Sequence, residues 1–290
     1  MIMQEISVQK TTSIDFKKIY PLLLAFESPY TCDDWQRIFN YKWDGMQDHV
    51  GYHLEKHDEV VGFMGLVFSC RYKNNRRYEF CNMTSLIVKP EYRSFTFLLL
   101  RKINLYPDTI FTGLGPISES YHLHKMQGFV PFEEHYKIIP VINGLFFNKK
   151  NIFYHDSENL IEKLDAENKR IFLDHENLKC KKILFYDKNE ICLFIFNITR
   201  QKYRGISVTK IHLNYISNLV FFNKKIRLIL SYYRAKFGFF SAIYVDRRFF
   251  LKAHTLLSLN KKINPPKIRS KKYINEIDID ALYSEKMLLD

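Results

Sequence analysis

The sequence predicts an α/β protein built from two units of the same plan, and three observations carry that expectation. The stretch GYHLEKHDEVVGFMGLVFS (51–69) reads as two apolar strands joined by a polar turn, and KKILFYDKNEICLFIFNIT (181–199) repeats the pattern, with Glu59 and Glu190 in matching places. The elements after each hairpin also match in order: a strand, a helix and a second strand. With 290 residues, 47% of them apolar, the chain has enough material for two ordinary cores.

In the first unit a strand ends at His57, Asp58 and Glu59 make the turn, and a strand runs from Val60 to Phe68. The strand EFCNMTSLIV (79–88) comes next, then a helix-like segment from Arg93 to Ile103, then the strand DTIFTGLG (108–115). Their counterparts are a turn from Asp187 to Glu190, a strand from Ile191 to Ile198, VTKIHLNYISNLV (208–220), NKKIRLILSYYRAKFG (223–238) and FFSAIYVD (239–246). The match is one of pattern rather than letters. The turn formers and charges of 145–158 set the expected division, residues 1–147 and 148–290. A helix from Glu158 to Asp174, capped by Ser157 or Asp156, opens the second unit. Residues 260–272, NKKINPPKIRSKK, read as a basic linker that its two prolines keep from being helical, and the acidic tail after it reads as a docking helix.

Charge divides unevenly between the halves. Residues 1–150 hold 18 Lys and Arg against 16 Asp and Glu, whereas residues 151–290 hold 26 against 15. Within 177–275, 22 basic residues face only Asp187, Glu190 and Asp246. Such an excess is either a solvated face or the mark of an acidic partner, RNA or an anionic membrane surface. The apolar runs are too short to cross a bilayer and the first residues lack a leader-like apolar segment, so a cytoplasmic setting is expected. The five cysteines form no CxxC pair and read as buried free thiols, with no metal site expected. His53 and His57 share a strand face without the company of further ligands.

Two motifs point to a family. SLIVKPEYR (85–93) is a strand running into a V-x-P-x-Y-R turn, and HLHKMQGF (122–129) is a helix ending in Gly-Phe. With the order of elements between them, residues 5–145 resemble the GNAT superfamily of acyl-CoA-dependent acyltransferases. The resemblance implies two GNAT-like units, the second degenerate, each with a central mixed, mostly antiparallel sheet flanked by helices. It also implies acetyl-CoA or another acyl-CoA as co-substrate. In that family the strand before the turn splays from its neighbour and pairs with pantetheine, a role that falls here to Leu86, Ile87 and Val88. Arg93, Ser94, Phe95, Thr96, Phe97 and Leu98 would wrap the pyrophosphate. The chain departs from the family at Thr96 and Leu98, where glycines usually let the backbone approach phosphate. The second half, with Asn223-Lys224-Lys225, lacks the turn altogether.

Counting back from Gly128 puts His124 where the family often keeps a tyrosine serving the leaving sulfur, with Tyr121 one turn earlier. A histidine there donates a proton near neutral pH, or is a plain helix-surface residue. Glu79 begins the strand that ends at the turn; by alternation over Tyr78 to Val88 it shares a face with Cys81, Met83 and Ser85. It is either a catalytic base or an exposed carboxylate at a strand start. Asn82 and Ser85, polar in an apolar strand, are candidate acceptor contacts. So are Trp35 and Tyr41 in the aromatic, acidic stretch 28–45, unless Trp35 and Phe39 form a buried helical stripe.

Three functions compete. The first is acyl transfer from acyl-CoA to an amine or hydroxyl of a small or carbohydrate acceptor. The second is transfer from aminoacyl-tRNA, as in tandem GNAT-like peptidyl transferases. The third is non-catalytic binding of a polyanion through residues 177–275.

Overall fold

A computed structural model describes residues 6–26, 28–44, 47–73, 75–144, 153–154, 158–187, 190–250, 257–272 and 279–289. The chain separates into two compact units. The first comprises Met1–Phe132, Lys267–Ile279 and Tyr283–Asp290; the second comprises Glu133–Pro266 and Asp280–Leu282. The division falls at 132/133 rather than the expected 147/148, because the strand that follows the Gly-Phe pairs inside the second unit. The tail is divided as well. The expected boundary at 145–158, with its Ser157 or Asp156 cap, lies largely outside the described residues.

The first unit is organised on strands β1 (Ser7–Thr11), β2 (Gly51–Lys56), β3 (Glu59–Lys73), β4 (Arg76–Val88) and β5 (Thr109–Gly113). β1 to β4 pair antiparallel in sequence order, and β4 pairs parallel with β5. The hairpin turn is His57–Asp58, one residue earlier than expected. Both residues have positive φ, 51° and 63°, the primed turn whose twist matches the strands it joins. Helices α1 (Phe16–Leu23) and α2 (Cys32–Asn40) precede β2. α2 starts at Thr31, whose hydroxyl accepts from Asp34 N–H at 3.3 Å while the Asp34 carboxylate accepts from Thr31 N–H at 3.0 Å.

Between β4 and β5 the expected helix is a sequence of tight turns: a 3-10 turn at Pro90–Phe95, the short α3 (Thr96–Leu100) and another 3-10 turn at Arg101–Leu105. Helix α4 (Ser118–Met126) follows β5. Its C-terminal Gly128 takes a φ of 85°, the left-handed conformation for which glycine is suited. One apolar cluster joins Leu54, Leu66, Phe68, Cys81, Leu99 and Phe111 beneath these elements.

The second unit contains β6 (Val130–Pro140), β7 (Phe153–Tyr154), α5 (Glu158–Ile161), α6 (Ala166–Asp174), β8 (Lys181–Asp187), β9 (Glu190–Tyr203), β10 (Ile206–Ile216), α7 (Leu219–Phe237) and β11 (Ser241–Asp246). The single helix expected over 158–174 is broken in two, because Asp165 caps α6 by accepting from Asn168 N–H at 2.8 Å. β7 to β10 pair antiparallel in sequence order, β10 pairs parallel with β11, and β6 flanks β11 antiparallel. Hairpin, strand, helix and parallel strand therefore recur in this unit. α7 lies on a core of Phe185, Phe194, Phe196, Phe221, Phe222 and Tyr233.

The linker expected at 260–272 is instead a strand for most of its length, β12 (Leu259–Arg269); extended backbone accommodates its prolines. Its Ile268 and Arg269 pair with Gly113 and Thr112 of β5 in the first unit. The docking helix expected in the tail is α8 (Glu285–Leu289), whose Met287, Leu288 and Leu289 are buried. Four of the five cysteines are buried free thiols as expected, but Cys32, at the first turn of α2, is exposed. Burial pushes the Cys192 thiol up to about 12.

Gly144 sets a close approach in the second unit. A Cβ there would lie 2.4 Å from the Ser231 backbone nitrogen and 2.8 Å from the Leu230 carbonyl carbon, both in α7. Gly144→Ala is expected to destabilise the protein by about 2–3 kcal/mol in urea unfolding, since backbone, not a flexible side chain, must move.

Candidate active site

Strand β4 positions the site by leaving its neighbour. The β4–β5 ladder runs only from Glu79↔Thr109 to Asn82↔Thr112, yet β4 continues six residues further, to Val88. The register with β3 explains the change of direction. Thr84 pairs with Gly65 and Ile87 with Phe63, so Ser85 and Leu86 together oppose Met64 in a β-bulge, with Ser85 at φ 52°. Gly65 makes room, since a Cβ there would meet Thr84 Cγ2 at 2.7 Å. The bulge also breaks the alternation expected over Tyr78 to Val88. Met83, Thr84, Ser85 and Leu86 all reach one cavity.

That cavity, of about 360 Å³, has walls from five places in the first unit. β4 supplies the bulged segment, and the turn after β5 supplies Gly115, Pro116 and Ile117. α4 supplies Ser120 and His124, one turn apart on one face. Phe26, Tyr30 and Trp35 form an aromatic wall, with Trp35 stacked on Phe26 at 5.7 Å and edge-on to Tyr30 at 5.6 Å. α8 adds Glu285, Lys286 and Leu289.

His124 is not the surface residue that one sequence reading allowed: it is 4% exposed and stacks on Phe129 at 5.3 Å. Its Nδ1 is buried, with no hydrogen-bond partner among the described residues. Burial holds the imidazole down to about 4, so the ring is neutral at physiological pH. The other sequence reading, a proton donor near neutrality, is corrected accordingly. A neutral ring accepts a hydrogen bond; it carries no imidazolium to give away.

The remaining sequence candidates fall in different places. Tyr121 packs on the apolar cluster beneath α4, and Ser120 takes the cavity position beside His124. Glu79 is bound to Arg77 at 3.3 Å, six residues before the bulge and hence roughly 20 Å along the strand from it. Tyr41 is a structural clamp. Its hydroxyl accepts from Phe68 N–H at 2.7 Å and donates to Leu66 carbonyl at 3.3 Å, and burial raises its pKa. Asn82 is buried and holds three elements together. Its Nδ2 donates to the Thr112 carbonyl and hydroxyl at 3.3 Å each, while its Oδ1 accepts from Glu285 N–H at 3.1 Å. Trp35 and Ser85 do line the cavity, and Trp35 is also part of the buried stripe of α2.

Leu86, Ile87 and Val88 lie half-buried on β4 beyond its ladder with β5. In the Pro90–Phe95 turn, Arg93 and Ser94 are exposed and Phe95 is half-buried against the cluster; in α3, Phe97 is exposed and Leu98 faces the cluster. The Thr96 hydroxyl, expected as a phosphate donor, donates instead to the Arg93 carbonyl at 2.7 Å, and Thr96 N–H points there as well. The 3-10 geometry thus uses donors that a glycine loop would leave free. His53 hydrogen-bonds Thr11 at 2.9 Å and approaches Glu55 at 3.3 Å. No group of ligating side chains suited to a metal occurs among the described residues.

Sequence reasoning missed Ser120, the aromatic partners Phe26 and Tyr30, and the place of the tail helix α8 at the cavity. Ser120 stands four residues before His124, a spacing that could have found it. No local signal places α8 at this cavity.

In the second unit β10 likewise outruns its parallel neighbour, pairing from Thr209↔Ser241 to His212↔Tyr244 and bulging at Asn214. There the Asn214 carbonyl accepts from Ala281 N–H at 3.4 Å, so a segment of the chain itself meets the departing strand.

No family model and no curated protein sequence matches the chain. Solved structures do. A GCN5-related N-acetyltransferase from Anabaena variabilis ATCC 29413 superposes with a TM-score of 0.60 at 11% identity, over 91% of this chain and 72% of that one. A conserved protein of Enterococcus faecalis V583, described as a probable N-acyltransferase, gives 0.61 at 10% identity over the same shares. Saccharomyces cerevisiae N-myristoyltransferase with bound myristoyl-CoA gives 0.51 at 10% identity, over 84% of this chain and 74% of that one. At such identities the likeness defines the fold: the chain has the α/β fold of the GCN5-related N-acetyltransferases. No helix among the described residues is long and apolar enough to cross a membrane.

Proposed function

We propose that the first unit transfers an acyl group from an acyl-CoA thioester to an amine. The observation that carries this reading is the departure of β4 from β5 after Asn82, which frees one edge of Met83–Val88 and leaves Met83–Leu86 beside a cavity holding a buried histidine. A strand edge without its neighbour suits the amide groups of a pantetheine arm, which pair with it as another strand would. Leu86, Ile87 and Val88 take that role. The exposed Arg93 guanidinium binds the diphosphate by charge-assisted hydrogen bonds.

In the reaction the amine nitrogen bonds to the thioester carbon, the carbon–sulfur bond breaks, and the amine proton ends on the departing thiolate. The neutral His124 ring accepts a hydrogen bond from the attacking amine and orients its lone pair; Ser120 stands beside it and meets the sulfur by turning its hydroxyl away from the Ile117 carbonyl, to which it donates at 3.1 Å. The two units are read as copies of one ancestral unit. The second is without a cofactor site, because its bulged strand is already met by Ala281. A CoA donor fits a cytoplasmic setting.

Release of free CoA thiol from acetyl-CoA and longer acyl-CoAs, measured against a panel of primary amines, tests the reading. Thiol release that needs both donor and amine is expected, with kcat/KM lowered roughly 100-fold in His124→Ala. Absence of amine-dependent release with every donor would count against acyl transfer.

A further inference from the structure

Between Glu190 and Asp246 the sequence has no aspartate or glutamate but nine lysines and arginines. One of them, Lys225, is paired with Asp187. Several of the rest gather at one rim of the second unit's sheet. The β9–β10 hairpin projects there with Arg200, Lys202 and Arg204 exposed around its turn. Thr209 of this hairpin pairs with Arg200 on one side and Ser241 on the other, and its N–H donates to the Phe240 carbonyl at 2.9 Å. Phe239 and Phe240 are thereby held beside the basic hairpin.

The same rim carries unusual apolar exposure. Phe239 is 50% exposed, Phe240 55% and Ile206, just past the hairpin turn, 46%. Leu257 joins them at 69% exposure. Asn143 clasps its backbone, donating to the Leu257 carbonyl and accepting from its N–H at 2.9 Å each, and also donates to the carbonyl of Pro140, which pairs with Ala242 two residues beyond Phe240. Exposed side chains of this size are normal when scattered, but a group of them ringed by cations marks an interaction surface.

We propose that this rim docks on an anionic lipid bilayer surface, the cations meeting lipid phosphates while the phenylalanines, Ile206 and Leu257 enter the boundary between headgroups and acyl chains. Both halves of the patch are needed for the inference. Cations alone suit any polyanion, RNA included. Single-stranded nucleic acid, however, rewards flat rings on which bases stack, whereas Ile206 and Leu257 have no stacking face and gain only by leaving water. Aliphatic and aromatic side chains beside lysines and arginines, in a stretch without aspartate or glutamate between Glu190 and Asp246, are the composition of an interfacial anchor. The rim is independent of the cavity in the first unit, so the inference stands apart from the acyl-transfer reading.

Flotation of the full chain with phosphatidylcholine vesicles, with and without phosphatidylglycerol, tests it. Binding is expected only to the anionic vesicles, weaker in high salt. Phe239→Ser/Phe240→Ser, at exposed positions, is expected to lower that binding at least about tenfold with the melting temperature unchanged, and Arg200→Glu/Lys202→Glu to do likewise. Three results would each overturn the proposal: no flotation with anionic vesicles at low salt, undiminished flotation of the phenylalanine variant, or tighter binding to a single-stranded RNA oligonucleotide than to the vesicles.

Discussion

His124→Phe is expected to make the protein more resistant to acid. The buried imidazole titrates at about 4 in the folded protein and near its ordinary 6.5 when unfolded. Between those values the unfolded chain binds a proton that the folded chain refuses. Stability is therefore lost as pH falls from 6.5 towards 4 and is unaffected by this group above that window. The gap corresponds to about 3 kcal/mol at the acid end. Phenylalanine keeps the stacking on Phe129 and has nothing to titrate. Urea unfolding at pH 7 and at pH 4.5 should show a pH-dependent loss smaller by about 2–3 kcal/mol in the variant than in the wild type. His49 and His53, also held down by burial, contribute equally to both proteins, so the difference isolates His124. Equal losses in the two proteins would mean that the ring is not buried as described.

Asn82→Ala is expected to destabilise the protein at neutral pH. The amide joins β4 to β5 through Thr112 and to the first residue of α8 through Glu285 N–H. Truncation removes three hydrogen bonds from a buried place and leaves their partners without replacement. A loss of about 3 kcal/mol is expected, read as a lower urea midpoint. Because α8 carries Glu285, Lys286 and Leu289 to the cavity wall, the same variant should raise the KM for acceptor more than it changes affinity for the CoA donor. A stable variant with unchanged acceptor KM would show that α8 is held by its buried leucines alone.

The fold was legible wherever the signal was local. Apolar alternation, polar turns and the Lys89-Pro90 break announced the hairpins, β4 and the turn after it. The two matching hairpins survived in the structure, the first with its turn displaced by a residue, because His57–Asp58 rather than Asp58–Glu59 adopts the primed geometry. The Gly-Phe motif marked the end of α4, which stops at Met126 with Gly128 just beyond it in the left-handed conformation, and so placed His124 in the last turn of that helix.

The features that escaped the sequence depend on distant contacts or on a single backbone angle. Glu79 looked like a cavity residue because alternation puts it on a face with Met83 and Ser85, but the cavity forms at the bulged end of β4, roughly 20 Å along the strand from it. Tyr41 looked like an acceptor contact because nothing in its neighbourhood reveals that Leu66 and Phe68 would claim its hydroxyl. The Asn82–Glu285 contact spans 203 residues, far beyond the reach of any periodicity. The expected division at 147/148 differs from the observed 132/133 for a related reason: nothing in residues 130–140 announces that their strand, β6, takes its hydrogen bonds from β11.

The central claim is that a CoA thioester lies along the edge of β4 that β5 leaves open after Asn82. Backbone amide hydrogen exchange with and without acetyl-CoA, and with a longer acyl-CoA, tests it most directly. The account predicts slower exchange at Leu86–Val88 and around Arg93 when donor is present, with no change along Leu213–Ile216 of the second unit. Donor-induced protection confined to the second unit, or none at Leu86–Val88 with either donor, would contradict it.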